Sequence, residues 1–243
     1  MLIQSVQGTK AMKTLGLIGG TTWVSTVDYY KLINQQVNKI LGGLHSAKIL
    51  LYSVDFAEFN PPIDPNEWGG ITKKFSAISQ NLERAGADCI AFCANTPHII
   101  ADEIQRIIGI PIIDIAEETA KIVSKHNFKK IGLLGTRITM EQSFYKEKLL
   151  KYGITTVTPE FEERKFIHSS IIEEMSKEIF KEETRLKYLE IINKLILEGV
   201  EGIVLGCTEI PIIIKQKDCP VPLFDTTLIH ASAIVNFAIG KID

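Results

Sequence analysis

Gly86-Ala-Asp-Cys-Ile-Ala-Phe-Cys-Ala-Asn95 and Gly199-Val-Glu-Gly-Ile-Val-Leu-Gly-Cys-Thr208 read as two versions of one stretch. Each begins at a glycine, runs through a short apolar segment and ends in small polar residues. Two further pairs keep the same order. Lys13-Thr-Leu-Gly-Leu-Ile-Gly19 matches Lys129-Lys-Ile-Gly-Leu-Leu-Gly135, and Pro111-Ile-Ile-Asp114 matches Pro222-Leu-Phe-Asp225. One such match means little, because apolar strands ending in glycine are common. Three in order, with spacings that drift by only a few residues, favour an ancient duplication.

The segments between these pairs decide the fold class. Strand-like apolar runs are Thr14–Ile18, Ala47–Val54, Cys89–Cys93, Pro111–Ile113, Lys130–Leu134, Thr155–Val157, Gly202–Leu205 and Pro222–Phe224. They are continuous rather than alternating, as suits parallel strands covered on both faces. Amphipathic stretches lie between them. Phe75–Ala85 closes at Gly86, Thr139–Gln142 reads as a capping box for a helix to Tyr152, and Thr184–Glu198 ends at Gly199. The expected fold is therefore α/β, with two pseudo-symmetric lobes. Each lobe is a parallel sheet flanked by helices, and the active site lies in the cleft between them. The expected divisions are a flexible extension at 1–12, a first lobe of 13–116 plus 225–243, and a second lobe of 117–224.

Composition narrows the function classes. The chain has 243 residues, 45% hydrophobic and 23% charged, with a formal net charge of −2. It has no basic run to collect phosphates, so nucleic acid is not expected as a partner. No apolar run approaches the ~20 residues that span a bilayer. The first residues lack the pattern of a secretory signal. The expectation is a soluble, cytoplasmic globular protein with no membrane partner. Cys89, Cys93, Cys207 and Cys219 are then expected to be reduced. Cys89 and Cys93 do not form a metal pattern without further ligands, and Gly-Leu-Ile-Gly-Gly lacks dinucleotide-binding spacing.

In open parallel sheets, ligands bind beyond the carboxyl ends of the strands. Here those ends carry Gly19–Thr22, Ala94–Thr96, Gly135–Arg137 and Cys207–Glu209. Such turns offer free N–H groups and favour a small carboxylate. Cys207 sits where a strand ends and a helix should start, a position that can lower a thiol pKa toward neutrality. It is either a functional thiol or an inert buried one.

Cys-Ala-Asn-Thr-Pro-His (93–98) and Gly-Cys-Thr-Glu (206–209), with Gly-Leu-Ile-Gly-Gly near the start, resemble the aspartate/glutamate racemase family. The stretch from Gly42 to Phe56 is similar to its aspartate-racemase-type branch. The resemblance covers about residues 13–240. It implies a racemase that uses neither pyridoxal phosphate nor metal, acts on a small amino acid and forms a homodimer. Two cysteines then flank the substrate α-carbon, one removing the α-proton and the other returning one. Asn95, Thr96 and Thr208 match the family's carboxylate-binding positions, although Asn and Thr equally suit helix capping. Thr136 is a similar candidate. Lys165 matches a basic position that contacts a substrate carboxylate, or is a solvated lysine.

The sequence departs from the family at one place. The first cysteine belongs directly before Asn-Thr, where Ala94 stands, and the duplication also aligns Ala94 with Cys207. Cys93 is one residue earlier, so in a strand it faces the other way. Three accounts stay open: Cys93 swings in, water or a polar group replaces the first base, or the protein has another role. The other roles are a Cys-dependent isomerase or decarboxylase of small dicarboxylic acids, and a non-catalytic two-lobed binding protein. The expected site is Cys207 and Cys93 as catalytic residues, with Asn95, Thr96, Thr208, Thr136 and Lys165 binding substrate. Aspartate is the family-level substrate, yet no Lys or Arg lies between Lys48 and Lys73 to meet its side chain.

Overall fold

The computed structural model describes residues 11–59 and 61–240. Residues 1–10 of the expected extension, and 241–243 of the expected first lobe, lie outside the described residues. Two parallel sheets form. The first contains β1 (Thr14–Gly19), β2 (Lys48–Ser53) and β3 (Cys89–Phe92), in the order β2-β1-β3. The second contains β4 (Lys130–Gly135), β5 (Thr155–Val157), β6 (Ile203–Gly206) and β7 (Leu223–Asp225), in the order β5-β4-β6-β7.

The two central strands, β1 and β4, are buried along their lengths apart from their first residues. This is why their sequences are apolar without alternation. Helices Trp23–Leu41 and Gly69–Arg84 flank the first sheet, and Ser143–Lys151, Phe161–Glu173 and Glu182–Leu197 flank the second. The last helix, Thr226–Ile239, packs on both Trp23–Leu41 and Ile115–Ser124. Ala231, Ile234, Val235 and Ala238 thereby join Leu15, Leu17 and Tyr29 in one apolar cluster. The Lys13 N–H donates to the Ala238 carbonyl at 2.9 Å, joining the start of β1 to this helix.

Two expectations change. Pro111–Ile113 forms only an isolated bridge between Ile90 and Ile112, whereas its duplicate becomes β7. Asp114 and Asp225 still cap the helices that follow, accepting from Glu117 N–H and from Thr227 and Leu228 N–H. The capping box at Thr139 is not found. Thr136 is the cap, Thr139 lies inside the short helix Arg137–Glu141, and extended Gln142 separates it from Ser143–Lys151.

Thr139 is occupied elsewhere: it packs on the glycines that end β4 and β6. A Cβ on Gly206 would lie 3.0 Å from Thr139 Cγ2 and 2.8 Å from the Leu134 carbonyl oxygen. Gly20, with φ +84°, makes the corresponding turn after β1, where a Cβ would strike the Val54 backbone. No helix among the described residues is long and apolar enough to cross a membrane.

Candidate active site

The strand-end turns of both sheets enclose a cavity of about 200 Å³. Thr21, Thr22 and Ser25 enter after β1, and Ala94, Asn95 and Thr96 after β3. Thr136, Arg137 and Ile138 enter after β4, and Gly206–Glu209 after β6. The segment after β2 supplies Phe56, Phe59, Pro61 and Ile63, while His168, Ile171, Ile172 and Ser176 complete the opposite wall. The structure thus brings Cys207, Asn95, Thr96, Thr208 and Thr136 to one cavity.

Hydrogen bonds join the two halves across it. The Thr96 and Thr136 hydroxyls are 3.1 Å apart, and the Thr22 hydroxyl donates to Glu209 Oε1 at 3.4 Å. Glu209 is buried and is the hub of the second loop. Its Oε2 accepts from Cys207 Sγ at 2.8 Å and from the Thr208 hydroxyl at 2.7 Å. In the sequence Glu209 is legible only as the last residue of the Gly-Cys-Thr-Glu turn. Its two-residue spacing from Cys207 was the available signal.

The expected lowering of the Cys207 pKa is reversed. Burial, then the Glu209 charge and its hydrogen bond, hold the thiol well above its ordinary range. Backbone N–H groups of Thr208 and Glu209 act the other way and are outweighed. The following helix, Ile210–Ile213, is a single turn, too short for a sizeable dipole. Cys207 is therefore a neutral thiol with an acceptor already in place.

Cys93 is not brought to the cavity. It is fully buried beside Leu15, Leu17 and Tyr29, and burial pushes its thiol pKa up. Neighbouring residues in extended chain face opposite ways, so Ala94 takes the cavity position. Lys165 also stays outside. Its side chain is 69% exposed, with Nζ 4.0 Å from Glu162 Oε2.

Asn95 lines the cavity and is held in orientation from behind. The Thr226 hydroxyl donates its one proton to the Leu205 carbonyl at 2.9 Å, so it can only accept from Asn95 Nδ2 at 3.1 Å. That orientation leaves Asn95 Oδ1 buried and without a partner among the described residues. One amide N–H of Asn95 is spent on Thr226, and the second is left to donate. The loop N–H groups are further donors, whereas the Thr22 and Thr208 hydroxyls are already committed to Glu209.

Behind the loop, buried His98 donates from Nδ1 to the Ala94 carbonyl at 2.9 Å. Its ring lies against His230, which bonds Tyr29 at 2.8 Å and the Ile113 carbonyl at 2.7 Å. His98 thus supports the loop from outside the cavity wall. Among the described residues, no group of His, Cys, Asp and Glu is arranged to hold a metal ion.

The match to known proteins accords with this geometry. A family model described as Asp/Glu/Hydantoin racemase matches residues 18–234. The chain belongs to the Asp/Glu/hydantoin racemase family. Within this racemase family, a candidate Asp/Glu racemase from Yersinia pestis is 46% identical, with a TM-score of 0.88. That match covers 94% of this chain and 100% of the other. The aspartate racemase of Picrophilus torridus is 25% identical with a TM-score of 0.71, covering 95% of each chain. The broad specificity amino-acid racemase RacX of Bacillus subtilis (strain 168) is 23% identical over 233 residues, covering 91% of this chain and 96% of RacX. Amino-acid racemases are isomerases, which places this racemase-family chain among them.

Proposed function

We propose that the protein is an amino-acid racemase that removes and returns the substrate α-proton, with Cys207 as its acid/base. The observation that carries this reading is the Cys207 thiol on the cavity wall, hydrogen-bonded to buried Glu209. An α-proton is a very weak acid, so its removal needs an oriented base and donors for the charge that develops. In the proposed step the thiol proton passes to Glu209 Oε2 as substrate binds. The thiolate then takes the α-proton, and the electron pair of the C–H bond delocalises into the α-carboxylate. The loop N–H groups and the second amide N–H of Asn95 are the donors for that carboxylate, while Thr208 and Thr22 spend their protons on Glu209. In the first half Ala94 holds the place corresponding to Cys207, so a proton arriving on the second face comes from water or a neighbouring hydroxyl. Exchange then outruns net inversion. The homodimer belongs to the same proposal, supported by exposed Trp23, Val27 and Tyr30 on one helix.

The test is exchange of substrate α-hydrogen in deuterated water, followed by NMR, which registers even one-sided proton transfer. The intact protein should exchange, and Cys207→Ser should abolish it. Exchange at the parent rate in that variant overturns the assignment. Tight amino-acid binding without exchange would identify a binding protein.

A further inference from the structure

Resting on that reading, we propose that Arg137 and His168 form a subsite for the side-chain carboxylate of an acidic amino acid. Arg137 is the only Lys or Arg among the described residues lining the cavity. Its Nε donates to Glu141 Oε2 at 2.8 Å, while the other oxygen of Glu141 accepts from Arg164 Nε at 3.1 Å. One carboxylate therefore serves two guanidinium groups. The Nη groups of Arg137 have no protein hydrogen-bond acceptor among the described residues, whereas Arg164 also donates to the Pro159 carbonyl. A guanidinium with free N–H groups at a half-enclosed wall favours a planar carboxylate.

His168 adds a second donor. Its Nδ1 accepts from the Arg137 backbone N–H at 3.4 Å, so the proton of the neutral ring sits on Nε2. Burial and the nearby Arg137 charge lower the His168 pKa, which keeps the ring neutral near pH 7. The rest of the cavity supplies the contrast. Glu209 is the acidic group at the other end, suited to an ammonium group, and the segment after β2 is apolar where it meets the cavity. An amino acid bearing a second carboxylate complements both ends. A substrate with a terminal ammonium would oppose Arg137, and a neutral one would leave its Nη groups without an acceptor.

The experiment measures α-hydrogen exchange of aspartate, glutamate, alanine and methionine with the parent protein, Arg137→Gln and Arg137→Lys. It is paired with calorimetric binding of succinate and butanoate, which differ in one carboxylate. The parent should favour acidic over neutral substrates. Arg137→Gln should raise KM for acidic substrates by about 10- to 100-fold, the worth of a charged hydrogen bond. It should raise KM for acidic substrates far more than for neutral ones and erase the preference for succinate over butanoate. Arg137→Lys should recover part of both. Equal losses for acidic and neutral substrates, or a parent preference for neutral ones, overturn the subsite while leaving the racemase reading intact. Absence of exchange with every substrate overturns the racemase reading, and the succinate–butanoate comparison still decides the subsite.

Discussion

Glu209 and Cys207 form one chemical unit, because the carboxylate both accepts the thiol proton and opposes a thiolate. Glu209→Gln removes that opposition, so the Cys207 pKa should fall. One pKa unit of fall gives about tenfold more thiolate at a fixed pH below it. We expect faster alkylation of Cys207 by iodoacetamide at pH 8, read by peptide mass spectrometry, together with slower α-hydrogen exchange. Unchanged alkylation would show that Glu209 does not govern the thiol. At this scale the sequence spoke unevenly. Cys207 was legible from its place at a strand end, and Ala94 from its alignment with Cys207. The Asn95 orientation was not, because Thr226 and Leu205 set it from far along the chain. The thiol pKa was misread for a related reason. Burial and a neighbouring charge outweigh the local N–H groups, and burial is a property of the fold.

Among the elements, strands were the most legible, since continuous apolar runs ending in glycine mark fully covered parallel strands. Pro111–Ile113 is the exception, reduced to a single bridge. The helix after β4 was misplaced because Thr139 has capping chemistry yet is used for packing. Its methyl group fills the space left by Gly135 and Gly206. Gly206→Ala should therefore destabilise the protein by about 1–3 kcal/mol, the usual cost of forcing atoms into a filled site. The side chain would meet the Leu134 carbonyl oxygen as well as Thr139, so a smaller residue at 139 would relieve only part of it. Urea denaturation measures the loss, and stability equal to the parent's would show that the strand end yields. Arg137 was legible as part of a strand-end turn, but its meeting with His168 was not, because it depends on the helix Phe161–Glu173 packing beside the β4 turn.

For the molecule as a whole, the duplication made the paired sheets legible, and the shared cavity follows from their strand-end turns. What it did not disclose is the seam of Tyr29, His230 and His98 behind the first loop. Burial lowers the His98 pKa to about 4, and burial followed by the His98 charge lowers that of His230 to about 3. Unfolded histidine titrates near 6.5. As pH falls below that value, the unfolded chain takes up protons that the folded one refuses. Stability is then lost by up to about 1.4 kcal/mol per pH unit for each ring, until the folded values are reached. Urea denaturation between pH 7 and pH 4.5 should show this decline, and His98→Asn combined with His230→Asn should flatten it. An equal slope in the double variant would assign the decline to carboxylates.

The bond from Lys13 to the Ala238 carbonyl has a consequence of another kind. Among the described residues, the backbone that leaves Lys13 returns to it at Ala238. Splicing across that seam and opening the exposed turn near His126 and Asn127 would permute the order of synthesis without moving a strand. The second sheet would then be made first.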